Sequence, residues 1–219
     1  MCGRFYVAPE DDYFRELAER INHSPLMNRF RGKVPANANG SYGGEISPAS
    51  VVPVLAPNRT GVQTVFPMHW GYNLPSSGNR RPTLIINARS ETAAEKLLFR
   101  DSWKQRRCVI PATSYFEWEH RMGFDGKPKV GQKYRISPAA GGNAFLAGLY
   151  RLEDGLPSFV ILTRMPAENL FWMHDRMPLI LPEEEVPGWI MPDGKPEKYL
   201  DLAMTETVWE KVQTGAGGA

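Results

Sequence analysis

Cysteine is scarce in this chain of 219 residues, which holds two. Neither Cys2 nor Cys108 belongs to a CxxC pair or a Cys/His array, which argues against a disulfide framework and against zinc-ribbon chemistry. Apolar runs long enough to span a bilayer are missing, and the first residues lack the basic stretch followed by an apolar core that marks a secretory signal. A cytoplasmic, reducing location is the expectation. Charge bias is also missing: 26 Lys and Arg against 24 Asp and Glu give a formal +2, which neither demands nor excludes a nucleic-acid partner. No fixed-period repeat or Ser/Gly-rich linker divides the chain. We therefore expect one domain over residues 1–213, a disordered tail over 214–219, a monomer, no membrane partner, and no metal or organic cofactor.

What is present suits one sizeable core, with 42% hydrophobic and 23% charged residues. Acids at Glu10, Asp11 and Asp12 before Tyr13, Phe14, Leu17 and Ile21 predict a helix starting near Pro9 and ending by Ser24-Pro25. The Gly-, Asn- and Pro-rich stretch from Pro35 to Pro48 reads as a long irregular loop ahead of the first strand. Short strands are predicted at 50–55, 62–70, 107–111, 114–119, 132–136, 144–150, 158–163 and 177–181. Helical segments are expected at 90–98 and 167–173. Strands without regular βαβ alternation indicate an α+β fold with a mostly antiparallel, barrel-like sheet and flanking short helices. Basic residues gather at Arg29, Arg31 and Lys33, at Arg80 and Arg81, and at Arg100, Lys104, Arg106 and Arg107. They read either as one basic face or as scattered solvated charges.

Cys2 is the most informative residue. A small side chain after the initiator Met permits Met removal, which leaves Cys as the N-terminal residue. Its α-amine (pKa ~7.7–8.0) and its thiol (pKa ~8.5) are then both partly available at neutral pH. Such an aminothiol condenses with an aldehyde to an imine, and the thiol closes on the same carbon to give a five-membered thiazolidine. On position alone, Cys2 is equally read as a small residue beside a start codon.

Its surroundings decide between these readings. The opening Met1-Cys2-Gly3-Arg4-Phe5 is followed in order by Trp70-Gly71, Asn87-Ala88-Arg89-Ser90-Glu91-Thr92, Arg107-Cys108-Val109-Ile110-Pro111 with Phe116-Glu117-Trp118, Ala147-Gly148-Leu149-Tyr150, and Leu162-Thr163 with His174-Asp175-Arg176-Met177-Pro178. In this order the segments resemble the SRAP (SOS response-associated peptidase) family of abasic-site crosslinking proteins. The resemblance implies catalytic roles for Cys2, Asn87, Glu117 and His174 and DNA contacts at Arg4, Pro48, Arg89, Thr163 and Arg176. It implies a partner too: single-stranded DNA carrying an abasic site, captured as a thiazolidine crosslink, with slow lyase activity as a by-product.

Each residue also has a plainer reading. Asn87 serves as a helix cap, Glu117 as an exposed strand carboxylate, His174 as a structural histidine, and the arginines as ion-pair partners of Glu91 or Asp175. If Glu117 is buried its pKa rises and it becomes a proton shuttle, while the titration range of His174 suits it to opening the sugar hemiacetal. Cys108 reads as a buried inert thiol, and His23, His69 and His120 as structural or surface residues.

Two departures from the family pattern stand out. Glu45 occupies a position where relatives carry Asn. No tryptophan wedge follows Trp70-Gly71, with Tyr72 as the candidate substitute for base stacking. The alternative function is an N-terminal-nucleophile thiol peptidase or amidohydrolase, and a third is a non-catalytic DNA-binding module.

Overall fold

The structure is a computed structural model that describes residues 2–31, 42–76, 81–122 and 128–213. Strand β1 (Arg4–Val7) leads into helix α1 (Asp12–Asn22). The helix starts later than Pro9 because Asp11 is its cap: the carboxylate accepts from the Tyr13 N–H at 2.9 Å. Phe14, Leu17 and Ile21 line its buried face as the spacing predicts. Ser24-Pro25 ends this helix and also starts another. Ser24 caps helix α2 (Pro25–Phe30), with Pro in the first turn, where no amide donor is required.

The expected loop at 35–48 is corrected in part. Residues 35–41 lie outside the described residues, but β2 (Gly44–Ile46) is a strand pairing antiparallel with β1, Phe5 opposite Ile46. β1 and β2 escape sequence reading because each is short and gains its stability from the sheet it joins.

Next come β3 (Val51–Pro57), β4 (Gln63–Trp70), β5 (Tyr72–Leu74), β6 (Thr83–Ile85) and β7 (Asn87–Arg89). Helix α3 (Ser90–Ala93) is shorter than the expected 90–98. Glu95, Lys96 and Leu97 are exposed, so nothing tertiary supports continuation, and propensity alone does not hold so short a helix. Helix α4 (Arg100–Gln105) leads to β8 (Arg107–Ala112), β9 (Ser114–Met122), β10 (Pro128–Pro138), β11 (Ala144–Glu153) and β12 (Leu156–Arg164). The helix expected at 167–173 is a single 3₁₀ turn, Glu168–Leu170. The chain closes with β13 (Met177–Pro178), β14 (Ile180–Leu181), α5 (Val186–Ile190), α6 (Lys198–Leu202) and β15 (Thr207–Lys211).

Five of these strands close on themselves in the order β12–β4–β3–β8–β11, with β11 pairing back to β12. All neighbours in this barrel are antiparallel except β12 and β4, and β7 adds a second parallel partner to β12. β8 is buried throughout and β12 at every residue but Arg164, as expected for strands enclosed on both faces. An antiparallel sheet, β15–β10–β9–β1–β2, packs beside the barrel. Phe5 joins the two, its ring 5.1 Å from Trp70. One continuous core runs through both sheets, so the α+β, barrel-like single domain holds. Among the described residues no helix is long and apolar enough to cross a membrane.

Two sequence features prove to be structural. Trp70-Gly71 forms a barrel corner: the indole N–H donates to the Ile86 carbonyl at 3.1 Å, and Gly71 has φ +125°. A Cβ on Gly71 would sit 2.5 Å from Leu84, so only glycine fits. Arg107, grouped above with surface cations, is fully buried and donates to the carbonyls of Trp189, Trp103, Lys104, Met191 and Gly194. Its charge is spent on the α5 end, which removes it from any basic face; Lys33 and Arg80 lie outside the described residues.

Candidate functional site

The register of β1 builds the site. Arg4 pairs with Phe116 and Phe5 with Tyr115, so the antiparallel geometry carries the chain start toward Glu117. Cys2 is fully buried, and its thiol points back to the Arg4 carbonyl at 3.6 Å. Asn87 arrives from the barrel on β7, held by its parallel pairing with Ile161. Its amide N–H donates to the Cys2 carbonyl at 2.9 Å. It does not cap α3, since Arg89 occupies that position. The amide oxygen of Asn87 is buried and accepts no hydrogen bond among the described residues, a free acceptor beside the Cys2 backbone.

Glu117 lies on the inner face of β9, 4% exposed, which removes the reading of it as a surface carboxylate. Burial pushes its pKa from 4.5 up to about 7. His174 follows the turn after β12 and is also buried, with Nε2 4.0 Å from the Glu117 Oε2. Its Nδ1 has two neighbours, the Arg176 amide at 3.0 Å and the exposed Asp175 carboxylate at 2.8 Å. The Arg176 N–H is a fixed donor with hydrogen-bond geometry, so Nδ1 is the acceptor and the ring proton sits on Nε2, facing Glu117. Burial, together with the neighbouring His120, lowers the His174 pKa from 6.5 to about 4. The expectation that His174 titrates near neutrality is thereby corrected. The imidazole is held neutral, and Glu117 is the group poised at pH 7.

Sequence reading missed two neighbours. Tyr115, two residues before Glu117 and hence on the same face, is buried with a hydroxyl that has no hydrogen-bond partner among the described residues. Burial raises its pKa, and the nearby Cys2 and Glu117 add to that rise. Period-two alternation from Glu117 was the available signal. His120 packs against His174 with ring centres 4.3 Å apart and the rings tilted by 58°, although nothing in its local sequence marks it.

The expected DNA-contact residues divide into two groups. Arg4 and Arg89 are exposed and Pro48 is half-buried. Arg176 and Thr163 are buried; the guanidinium holds Glu91 through two bonds of 2.8 and 2.7 Å and also donates to the Thr163 carbonyl at 2.6 Å. That pair ties the His174 loop to α3 and β12. Glu45 does not present an isolated charge, because Arg4 (2.9 Å) and Lys133 (2.5 Å) neutralise it. Tyr72 is fully buried beneath Arg151, whose guanidinium lies 4.3 Å from the ring centre, so it cannot stack on a base and does not replace a tryptophan wedge.

Residues 1–215 match the family described as SOS response associated peptidase (SRAP). The chain belongs to the SRAP family. Among SRAP relatives, the abasic site processing protein YobE of Bacillus subtilis is 31% identical over 207 residues, covering 91% of this chain and 86% of that protein. The abasic site processing protein YedK of Escherichia coli is 28% identical over 230 residues, covering 99% and 94%. A protein of known crystal structure from Bacteroides thetaiotaomicron shares the fold at 18% identity and a TM-score of 0.67, covering 97% of this chain and 93% of that one.

Proposed function

We propose that this SRAP protein captures abasic sites in single-stranded DNA as a covalent thiazolidine through Cys2 once Met1 has been removed. Met1 lies outside the described residues. The observation that carries the reading is the burial of Cys2 beside a carboxyl group poised near pH 7 and a neutral imidazole. The names of YobE and YedK point to the same lesion.

In this mechanism the Cys2 amine adds to the aldehyde carbon of the ring-opened sugar, and water leaves as the C=N bond forms. Glu117 in its acid form protonates the departing hydroxyl; with a pKa of about 7 it then stands ready as a carboxylate. Burial raises the thiol pKa, so Sγ stays protonated until it attacks. As it adds to the imine carbon, its proton passes to Glu117 and the ring nitrogen becomes a neutral amine. The balance is one water lost, with one C–N and one C–S bond formed. The free Asn87 oxygen accepts from the Cys2 amine and orients its lone pair toward the carbon. The Nε2–H of His174 donates to the sugar oxygen during ring opening. Slow strand scission follows the same imine, which acidifies the adjacent carbon so that a base removes its proton and the 3′ phosphate departs.

Intact-mass analysis after incubation with a single-stranded oligonucleotide bearing one abasic site tests this. The expected product is the Met-free chain plus DNA minus one water, stable to heat and absent with Cys2→Ala. A Met-free protein that gives neither adduct nor scission overturns the proposal and leaves amide hydrolysis or simple binding.

A further inference from the structure

The inner face of the antiparallel sheet does not stop at Glu117. Directly paired residues share a face, so one row runs Glu117, Tyr134, Lys211 from β9 across β10 to the edge strand β15, and the next runs Tyr115, Ile136, Trp209. At the edge this face surfaces as aromatic rings. Trp209 is 42% exposed and Trp172 is 45% exposed, although both are large enough that burial would stabilise the fold if a partner element existed. Their ring centres are 5.3 Å apart, and Tyr134 contacts both, at 5.1 and 5.3 Å. Phe171, 56% exposed, precedes Trp172 in the same turn.

Several bonds hold this cluster in place. The Trp172 indole N–H donates to the Asn169 carbonyl at 2.9 Å, and the Asn169 side chain donates to the Thr207 carbonyl at 2.8 Å, binding the turn to β15. The His120 N–H bonds the Met173 carbonyl at 3.4 Å, binding it to β9 as well. With the Trp172 N–H already satisfied, that ring offers its apolar face and edge. Rings fixed in advance lose little freedom on contact.

We infer that Trp172 and Trp209, backed by the buried ring of Tyr134, form a base-stacking platform for the single-stranded DNA that flanks the captured lesion. The inference rests on the DNA reading above and adds a place for the flanking bases. Three observations select unpaired bases as the occupant. The platform is continuous with the site, because Tyr134 is the cross-strand partner of Glu117 and Trp172 stands two residues from His174. Lys211, in the same row, is exposed and makes no ion pair among the described residues, so a free cation stands where a strand backbone would pass. The acid next to it, Glu210, faces the other side and is paired with Arg135 at 3.8 Å. Indoles beside an unpaired cation match the combination of base faces and phosphates in a single strand. The platform also supplies the stacking surface that buried Tyr72 cannot.

The test measures binding to a single-stranded oligonucleotide containing tetrahydrofuran, which lacks the aldehyde and reports association without crosslinking. Trp172→Ala and Trp209→Ala should each weaken binding about tenfold. Trp172→Phe and Trp209→Phe, which keep a ring and guard against misfolding, should retain most of it. Wild type should also fall to the level of the Ala variants on a strand whose flanking nucleotides are all abasic analogues, because only the bases are missing there. Unchanged affinity in both Ala variants overturns the platform while leaving capture intact. A concentration-dependent dimer of the free protein that the Ala variants abolish assigns the rings to a second copy and overturns it too. If wild-type protein binds no single-stranded DNA, the DNA reading fails and the platform with it.

Discussion

His174 Nε2 stands 4.0 Å from Glu117 Oε2 with both side chains buried, and their titration order is inverted. The carboxyl titrates at about 7 and the imidazole at about 4, so at neutral pH a partly protonated carboxyl faces a neutral imidazole. Burial is the leading cause of both shifts, since removal from water penalises the charged form of each.

Capture should therefore follow Glu117 and not His174 in its pH dependence. Single-turnover crosslinking rates are expected to change near pH 7 in wild type and to lose that inflection in Glu117→Gln, with a fall of roughly 10²–10⁴-fold. An unchanged inflection in the variant would assign the proton transfer to another group.

Stability carries the same signature. Glu117, raised from 4.5 to about 7, keeps a proton in the folded state that the unfolded chain releases, so its contribution is present below pH 4.5 and lost as pH rises through 7. His174, lowered from 6.5 to about 4, contributes stability above pH 6.5 that is lost as pH falls through 4. The two slopes oppose each other between. Glu117→Gln should raise the melting temperature at pH 8, by a few degrees and at most ~3 kcal/mol, and leave a curve that climbs from pH 4 to 6.5. Thermal scans from pH 4 to 8 check it; a variant less stable than wild type at pH 8 contradicts the assignment.

Tyr115→Phe removes a buried hydroxyl without a partner among the described residues. Stability should be equal or up to ~1 kcal/mol higher, because no bond is lost. If the phenol positions the Cys2 thiol, capture slows in the same variant. Slower capture with unchanged melting separates a positioning role from a packing one.

Arg89 is exposed and makes no ion pair among the described residues, whereas Arg176 is locked to Glu91. Arg89→Ala should weaken single-strand binding and lower the salt slope by about one phosphate contact. Arg176→Met should act mainly on stability, since it strands Glu91 and loosens the His174 loop. Salt-dependent binding and melting measured on both variants tell the two effects apart.

Gly71→Ala forces a Cβ to 2.5 Å from Leu84 at a φ of +125°. A loss of ~1–3 kcal/mol in denaturant unfolding is expected.

The sequence alone determined much of this protein. Alternating and continuous apolar runs marked eight strand segments because side-chain period is a local property, and the ordered motifs from Cys2 to Pro178 identified the family and pointed to Asn87, Glu117 and His174 as candidate site residues. Local pattern did not reveal β1 or β2, whose few residues become strands only through their partners. Burial was decided by tertiary structure alone: it made Glu117 a group that titrates near 7, turned Arg176 and Arg107 into interior cations, and hid Tyr72. The same holds for Tyr115, His120 and the Trp172–Trp209 pair. Their roles depend on strand register and on which neighbours exclude water, and both are set by contacts between residues distant in the chain.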